Sequence, residues 1–352
     1  MSYLQLFSWH AFEMDELKRR LLHDQPDLIE WISPEEVSIE QRPEYNILVK
    51  YLDSNPLAIM RVLVPTPNID RYSEHQRIEY EGYPIAFFRQ AVDCLRDNEY
   101  LRSRNLNPHA EYQDLDFKYK FASFNHKSHE FRCKMIDQFA LHGLINDSNL
   151  ITWNNVGNSG YQFKHFTPRR IVLEDDNWYA PNGSFDSYKL PVEYGQFAFS
   201  AIAESSIDQI FITEKTIIPM WFYKPFIILG GRGFNHYLKE CGFELFEELF
   251  DYSFDLEQDK DKRINGFAEQ VKRLDSMSIS EITALRNSLK DRLIHNNLRA
   301  KNIIHDRKFW PRKVTDWVKH QGDYSVVVSP SNVQDGWLFK TSHMSYEFLT
   351  GK

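Results

Sequence analysis

The chain has 352 residues, a formal net charge of -8, and a composition that is 42% hydrophobic, 26% charged and 15% aromatic. This length exceeds what one hydrophobic core usually serves, so we expect two domains, and the composition excludes intrinsic disorder. The negative net charge argues against a protein whose whole surface coats nucleic acid.

The three cysteines, Cys94, Cys133 and Cys241, lie far apart and form no C-x-x-C pair. Their odd number and wide spacing disfavour a disulfide framework and a zinc knuckle. No apolar run approaches the roughly 20 residues of a membrane-spanning helix, and the N-terminal segment lacks the features of a signal peptide. We therefore expect a soluble, cytoplasmic protein with no membrane span.

The N-terminal half alternates predicted strands with predicted helices. The strands are runs rich in Ile, Val, Leu and aromatic residues, and the helices show apolar residues at helical spacing. Ser128 is a predicted N-cap of one helix. Strands are predicted at 3–10, 45–52, 57–65 and 119–125, and helices at 13–22, 85–95 and 128–144.

A stretch dense in Asn, Gly, Pro and aromatic residues, 154–191, marks a predicted domain junction. After this stretch, predicted strands and helices alternate again. Ser278–Glu281 is a capping-box sequence that begins a helix near the end of the domain. Repeated strand–helix units favour an α/β layered architecture. Strands are predicted at 196–204 and 224–230, helices at 213–223, 234–242 and 281–304, and domains at 1–165 and 166–320 with a C-terminal tail at 321–352.

An acid and a base stand side by side at the start of the helix predicted from Thr213. The Thr213 hydroxyl can cap the free N–H groups of that helix, and a helix N-terminus attracts anions. Lys215 in the first turn would add a point charge for a phosphate, and Glu214 could accept from ribose hydroxyls. The same pair also fits an ordinary first turn of a helix, and residue types alone do not separate the two.

The longer pattern around this pair is FSAIAESSIDQIFITEKTIIPMWFYKPFIILGG. It resembles the donor-binding motif of the α-1,3-fucosyltransferases, in which a strand ending in Phe-Glu-Asn-Ser precedes Tyr-Ile-Thr-Glu-Lys, a helix and a strand ending in Gly. Glu204, Ser206 and Phe211 occupy the Glu, Ser and Tyr positions of that motif, and Ile212–Lys215 match it outright. Ser205 replaces the Asn, and Phe211 lacks the phenol that could contact the donor.

A second segment, YKFASFNHKSHEFR, carries the resemblance further upstream. It places Asn125 after a strand and Arg132 in the following helix, and it is similar to a segment of uncharacterised glycosyltransferase-like proteins of phages and bacteria. In the family such an arginine contacts the donor diphosphate, a role that suits the fixed charge and forked donors of Arg132. A surface arginine on a helix is the alternative.

The resemblance implies a GT-B glycosyltransferase: two Rossmann-like domains facing a central cleft, with the donor held mainly by the C-terminal domain. It implies a nucleotide-diphosphate sugar as co-substrate, no other cofactor and no metal. The implied donor-binding residues are Asn125, Arg132, Glu204, Ser206, Phe211, Thr213, Glu214, Lys215 and Gly231, and Arg132 and Lys215 would stabilise the leaving diphosphate. Gly231 belongs to the glycine turn 230–233, which follows a predicted strand, where α/β proteins bind ligands, and which fits a plain turn as well as a close-approach loop beside the donor.

Transfer with inversion also needs a base, expected from the N-terminal domain. His10 and Glu13, after the first strand, and Glu79 and Glu81 are candidates, and none is privileged by the sequence. A retaining reaction would not need such a base, so the stereochemistry stays open. The acidic run 174–176 fits a solvated loop as well as a metal site.

Two segments rich in Lys and Arg, here called basic islands, leave the chemical identity of the acceptor undecided. Residues 118–134 contain five Lys or Arg against one acid, and residues 299–320 contain seven against two. The acceptor hydroxyl belongs to a glycan or glycoconjugate in the first hypothesis, and to a hydroxymethylated base in DNA, modified in a phage-infected bacterium, in the second. A third hypothesis is a non-catalytic protein that binds nucleotides or carbohydrates. The sequence does not predict the oligomeric state.

Overall fold

The computed structural model describes residues 3–7, 14–32, 40, 42–64, 66–67, 69, 75–82, 110–156, 160–171, 190–302 and 326–328. The chain divides into two compact units. The first comprises 1–89 and 304–352, and the second comprises 90–303. Among the described helices, none is both long enough and apolar enough to cross a membrane.

The described residues contain nine β-strands in two sheets. The first unit holds a five-stranded sheet in the order β4-β3-β2-β1-β9, and the second holds a four-stranded sheet in the order β6-β5-β7-β8. All pairings within both sheets are parallel. The strands are β1 (Tyr3–Phe7), β2 (Leu28–Ile32), β3 (Ile59–Val64), β4 (Ile78–Gly82), β5 (Tyr119–Lys127), β6 (Leu150–Val156), β7 (Phe197–Ala203), β8 (Phe226–Leu229) and β9 (Val326–Val328).

Eight α-helices are described, two in the first unit and six in the second. They are α1 (Met14–Asp24), α2 (Pro43–Ser54), α3 (Glu130–Leu141), α4 (Glu214–Trp221), α5 (Phe234–Glu240), α6 (Lys260–Asp275), α7 (Ile279–Ser288) and α8 (Lys290–Asn302). Short 3-10 helices lie at Val192–Gly195 and Tyr252–Leu256. This mixed α/β fold with parallel sheets confirms the predicted α/β class and is consistent with Rossmann-like units.

The prediction of a strand at 45–52 was wrong. This segment lies in α2, whose buried residues Glu44, Leu48 and Leu52 are spaced four apart and share one helical face. Pro43 at the start of the helix has the backbone geometry of a first helical turn. Short apolar runs do not distinguish a buried strand from a buried helix, and here the helical spacing and the proline decide.

Two further predictions are corrected at helix ends. The N-cap of α3 is His129, one residue after the predicted Ser128, and it makes no side-chain cap. The helix predicted at 281–304 is two helices, α7 and α8, with Leu289 between them. The capping box at Ser278 and Glu281 is present, with both reciprocal hydrogen bonds.

The compact units differ from the predicted domains. Strand β5 pairs with β7, so residues predicted to lie in the N-terminal domain share a sheet with the donor motif. Strand β9, in the predicted tail, pairs with β1. Parallel strands are joined by long crossovers, so neighbours in a sheet need not be neighbours in sequence, and a composition break such as 154–191 does not locate the boundary.

Lys224, at the amino end of β8, is a buried lysine. Its side chain is 2% exposed, and its Nζ donates to the carbonyl of Phe197 and lies 4.7 Å from the ring centre of Phe117. Burial, and secondarily the nearby Arg286, lowers the pKa of Lys224 well below its ordinary value of 10.5. Lys224 therefore belongs to the core at the edge of the sheet opposite the carboxyl end of β8.

The buried lysine predicts a pH dependence of stability. Between the lowered pKa of the folded state and 10.5, the unfolded chain binds more protons, so the free energy of unfolding rises with pH. We expect the wild type to gain up to about 1.4 kcal/mol per pH unit relative to Lys224→Met across that window. Urea unfolding at about pH 8 and about pH 9.5 measures the difference. A Lys272→Met control, at a side chain that is 51% exposed, should show the same change in unfolding free energy with pH as the wild type. An equal change in wild type and Lys224→Met would contradict the prediction.

Candidate functional site

Glu204 follows β7 directly and is completely buried. Its Oε1 accepts from the Thr213 amide at 3.1 Å and from the Thr216 hydroxyl at 2.5 Å. Its Oε2 accepts from the Thr213 hydroxyl at 2.7 Å and the Ser205 amide at 3.0 Å. A buried carboxylate is tolerated only where donors satisfy it, and these contacts supply them.

These hydrogen bonds attach the first turn of α4 to the end of β7. Thr213 is the N-cap of α4, and its hydroxyl accepts from the Lys215 amide at 3.3 Å while it donates to Glu204. The positive end of the helix dipole faces the Glu204 carboxylate, and this electrostatic attraction stabilises the carboxylate in addition to the hydrogen bonds. The predicted helix start at Thr213 is confirmed.

Lys215 is held close to the same cluster. Its ammonium donates to the Ser205 hydroxyl at 2.8 Å and to the Thr213 hydroxyl at 3.3 Å, and the side chain is partly exposed. The Lys215 ammonium therefore lies beside the N-terminus of α4, the end of a helix that favours anions. Glu214 is the first residue of α4, and its side chain lies outside the described atoms.

The second predicted segment meets the first at this edge. Arg132, in the first turn of α3, is 4% exposed, and its guanidinium donates to the carbonyl oxygens of Glu204 at 2.7 Å and Ala203 at 3.3 Å. Arg132 therefore stabilises the backbone at the carboxyl end of β7. Asn125, in β5, is 1% exposed, and its amide group donates to the Ser123 carbonyl at 3.2 Å.

Ser206, Phe211 and Gly231 have local structural roles. The Ser206 hydroxyl accepts from the Asp208 amide at 3.2 Å, and Phe211 is fully buried. A Cβ on Gly231 would collide with the backbone of Gln209 and lie 2.6 Å from the Ile210 nitrogen. Only glycine permits this approach, so the turn 230–233 packs against the loop that leads into α4.

Sequence reasoning missed two participants in the cluster. Thr216 was not singled out, although its hydroxyl makes the shortest described contact to Glu204. Ser205 was noted only as a departure from the resembling motif, and it is the residue that holds the Lys215 ammonium. The position of Thr216, one turn after a capping threonine and on the same helical face, is the signal that could have found it.

Of the four candidate bases, the structure describes Glu79 and Glu81. His10 and Glu13 are outside the described residues, as is the acidic run 174–176. Glu79 and Glu81 are exposed residues of β4 in the first unit. The Glu79 carboxylate accepts from Arg61 at 2.7 Å, and this contact raises the pKa of Arg61.

The first basic island is largely engaged within the chain. Lys134 pairs with Asp261 at 2.7 Å and Glu130 at 3.1 Å, and Lys120 pairs with Asp275 at 3.6 Å. With Arg132 buried, three of its five cations are occupied by protein groups. Only 299–302 of the second island lies in the described part of the chain.

Comparison with known proteins found no matching protein-family model and no matching curated protein. Among solved structures, the chain is similar to a crystal structure of an alpha1,3-fucosyltransferase at 11% sequence identity and a TM-score of 0.33. That alignment covers 82% of this chain and 90% of the other. We base no conclusion on a likeness this remote.

The buried carboxylate predicts a stability defect in Glu204→Gln. The amide group would turn one acceptor into a donor that faces the Thr213 hydroxyl or the Ser205 amide. An unsatisfied buried polar group costs about 1–3 kcal/mol, and we expect the free energy of unfolding to fall by that amount. Urea unfolding measures it, with Glu240→Gln, at an exposed residue of α5, as the matched control. Equal midpoints for Glu204→Gln and wild type would show that the carboxylate does not hold α4.

Proposed function

We propose that this protein is a glycosyltransferase that uses a nucleotide-diphosphate sugar and transfers the sugar to an acceptor hydroxyl. In this proposal, the diphosphate binds where α4 begins, beside the carboxyl ends of β7 and β8. Open parallel sheets bind ligands at this edge. The acceptor would be a glycan or glycoconjugate.

The observation that carries the proposal is the hydrogen bond between the Arg132 guanidinium and the Glu204 carbonyl, at 2.7 Å. The two residues are 72 positions apart and come from the two segments that resemble the fucosyltransferase donor motif. Segments that bind one donor must meet in space, and these do. The contact also places Lys215 and the α4 N-terminus in one assembly with Arg132.

The chemistry follows from the charges at this edge. When the bond between the sugar and the diphosphate breaks, negative charge develops on the leaving phosphate oxygen. The Lys215 ammonium and the N–H groups of the first turn of α4 would stabilise that charge, since both are fixed before the reaction begins. The buried Glu204 and Arg132 are positioning residues here, because they hold the turn and the end of β7.

The remaining features of the proposal rest on the sequence motif. A Glu214 carboxylate would accept from ribose hydroxyls, as acids do in other nucleotide sites. Charge neutralisation by basic side chains would make a divalent metal unnecessary. The two units would form a GT-B arrangement, with the first unit presenting the acceptor.

The proposal predicts that Lys215→Ala weakens nucleoside diphosphate binding at least tenfold, because the variant removes a cation that would contact phosphate. Calorimetric titration of wild type with UDP, GDP, ADP and dTDP identifies the nucleotide, and the same titration of the variant measures the loss. Lys215→Arg should retain part of the affinity, since it keeps the charge.

Lys272→Ala is the matched control, because this lysine is exposed in the last turn of α6. It should bind as the wild type does. Unchanged diphosphate affinity in Lys215→Ala, or no binding of any of the four nucleotides to wild type, would rule out a donor site at the start of α4.

A further inference from the structure

His236 and Asp255 form a hydrogen-bonded pair outside the Glu204 cluster. The Asp255 carboxylate is completely buried, and its Oδ2 lies 2.9 Å from Nδ1 of His236. The His236 side chain is 44% exposed. The pair thus joins a fixed buried acid to an imidazole that reaches solvent.

The acid is held by groups other than the imidazole. Asp255 Oδ2 accepts from the Asn235 amide at 2.9 Å and the His236 amide at 3.1 Å, and Oδ1 accepts from the Asn235 side chain at 2.9 Å. The same Asn235 side chain donates to the carbonyl of Ile228, in β8, at 2.8 Å. The carboxylate is therefore anchored to the sheet, and the contact to the ring orients the imidazole.

This orientation determines which ring nitrogen is available. Because Asp255 is an acceptor, the hydrogen of the neutral ring is on Nδ1, and Nε2 carries a lone pair. A proton taken up at Nε2 gives an imidazolium that the buried carboxylate stabilises. An acid–imidazole pair of this geometry can act as a general base.

The pair lies at the same edge of the sheet as the proposed donor site. The Glu204 amide donates to the Leu229 carbonyl at 2.9 Å, so the turn that begins at Gly230 starts beside Glu204. That turn packs on Gln209, and its Gly233 amide donates to the Asp255 carbonyl at 2.8 Å. The segment that carries Asp255, the glycine turn and the loop into α4 thus form one contiguous edge.

We propose that His236 is the general base of the sugar transfer and that Asp255 is its positioning residue. This inference rests on the proposed function. Nε2 takes the proton of the acceptor hydroxyl, and the acceptor oxygen forms a bond to C1 of the donor sugar. The bond between C1 and the diphosphate oxygen breaks, and its electron pair leaves with the diphosphate. Such a direct displacement inverts the configuration at C1.

Other charged groups lie near the pair. Glu247 and His236 interact through their charges, and the Glu247 carboxylate pairs with the Lys239 ammonium at 2.7 Å. Arg263 interacts with Asp255 through its charge, and Arg232 donates to the Leu256 carbonyl at 2.8 Å. Substitutions at His236 leave these groups in place.

The test measures nucleoside diphosphate release from UDP-glucose, GDP-mannose, GDP-fucose, dTDP-glucose and ADP-glucose, with water or added monosaccharides as acceptors. We expect His236→Gln to lower kcat by about 10²–10⁴-fold, the usual contribution of a general base. The Kd of the diphosphate should stay within about twofold, because a general base acts on the acceptor proton and not on the bound diphosphate. Imidazole in the buffer should restore part of the rate of His236→Ala, which a structural role would not allow.

His295→Gln is the matched control, because this imidazole of α8 is 47% exposed, with Nε2 at 2.9 Å from the Gly242 carbonyl and Nδ1 at 4.0 Å from the Glu244 carboxylate. It should retain the wild-type rate. If His236→Gln turned over at the wild-type rate and bound nucleotide as the wild type does, His236 would not be the general base. The donor site proposed at the start of α4 would be unaffected by that result. Absence of turnover by the wild type with all five donors would overturn the proposed function, and the base with it.

Discussion

The buried carboxylate of Glu204 is the constraint on which the candidate site of the second unit depends. A carboxylate that is fully removed from water requires donors, and these come from the N-cap and the first turn of α4 and from the Ser205 amide. The hydrogen bonds from Thr213 and Thr216 to Glu204 fix the first turn of α4 against the end of β7. They thereby also fix the positions of the helix N-terminus and Lys215.

Three chain segments reach the same edge because the sheet is parallel. β5, β7 and β8 all end there, so the residues after each strand are neighbours although they are far apart in sequence. Arg132 joins the first of these segments to the second, and the close approach at Gly231 joins the second to the third. The edge therefore combines a fixed cation, a helix N-terminus and an oriented imidazole, which are the elements that departure of an anionic leaving group and removal of a proton require.

Much of the local structure could be predicted. The alternation of strands and helices, the cap at Thr213 and the capping box at Ser278 were visible as patterns of residue type. The segment 45–52 was misassigned because a short apolar run has no unique period, and its helical character depends on which residues are buried. The boundary between the units could not be found from composition, since it depends on which strands pair.

For the candidate site, the amino-acid sequence by itself determined the residue types and their order: an acid after a strand, a capping threonine, an acid–base pair in a first helical turn, and an arginine in an earlier helix. Only the tertiary structure decided what each one contacts. It assigned Glu204 and Arg132 to holding the backbone, brought Ser205 and Thr216 into the cluster, and placed His236 against Asp255. Capping and helical periodicity depend on residues within a few positions of each other, so the local sequence predicts them. Burial and hydrogen bonding between distant segments arise only when the chain has packed, so they require the tertiary structure.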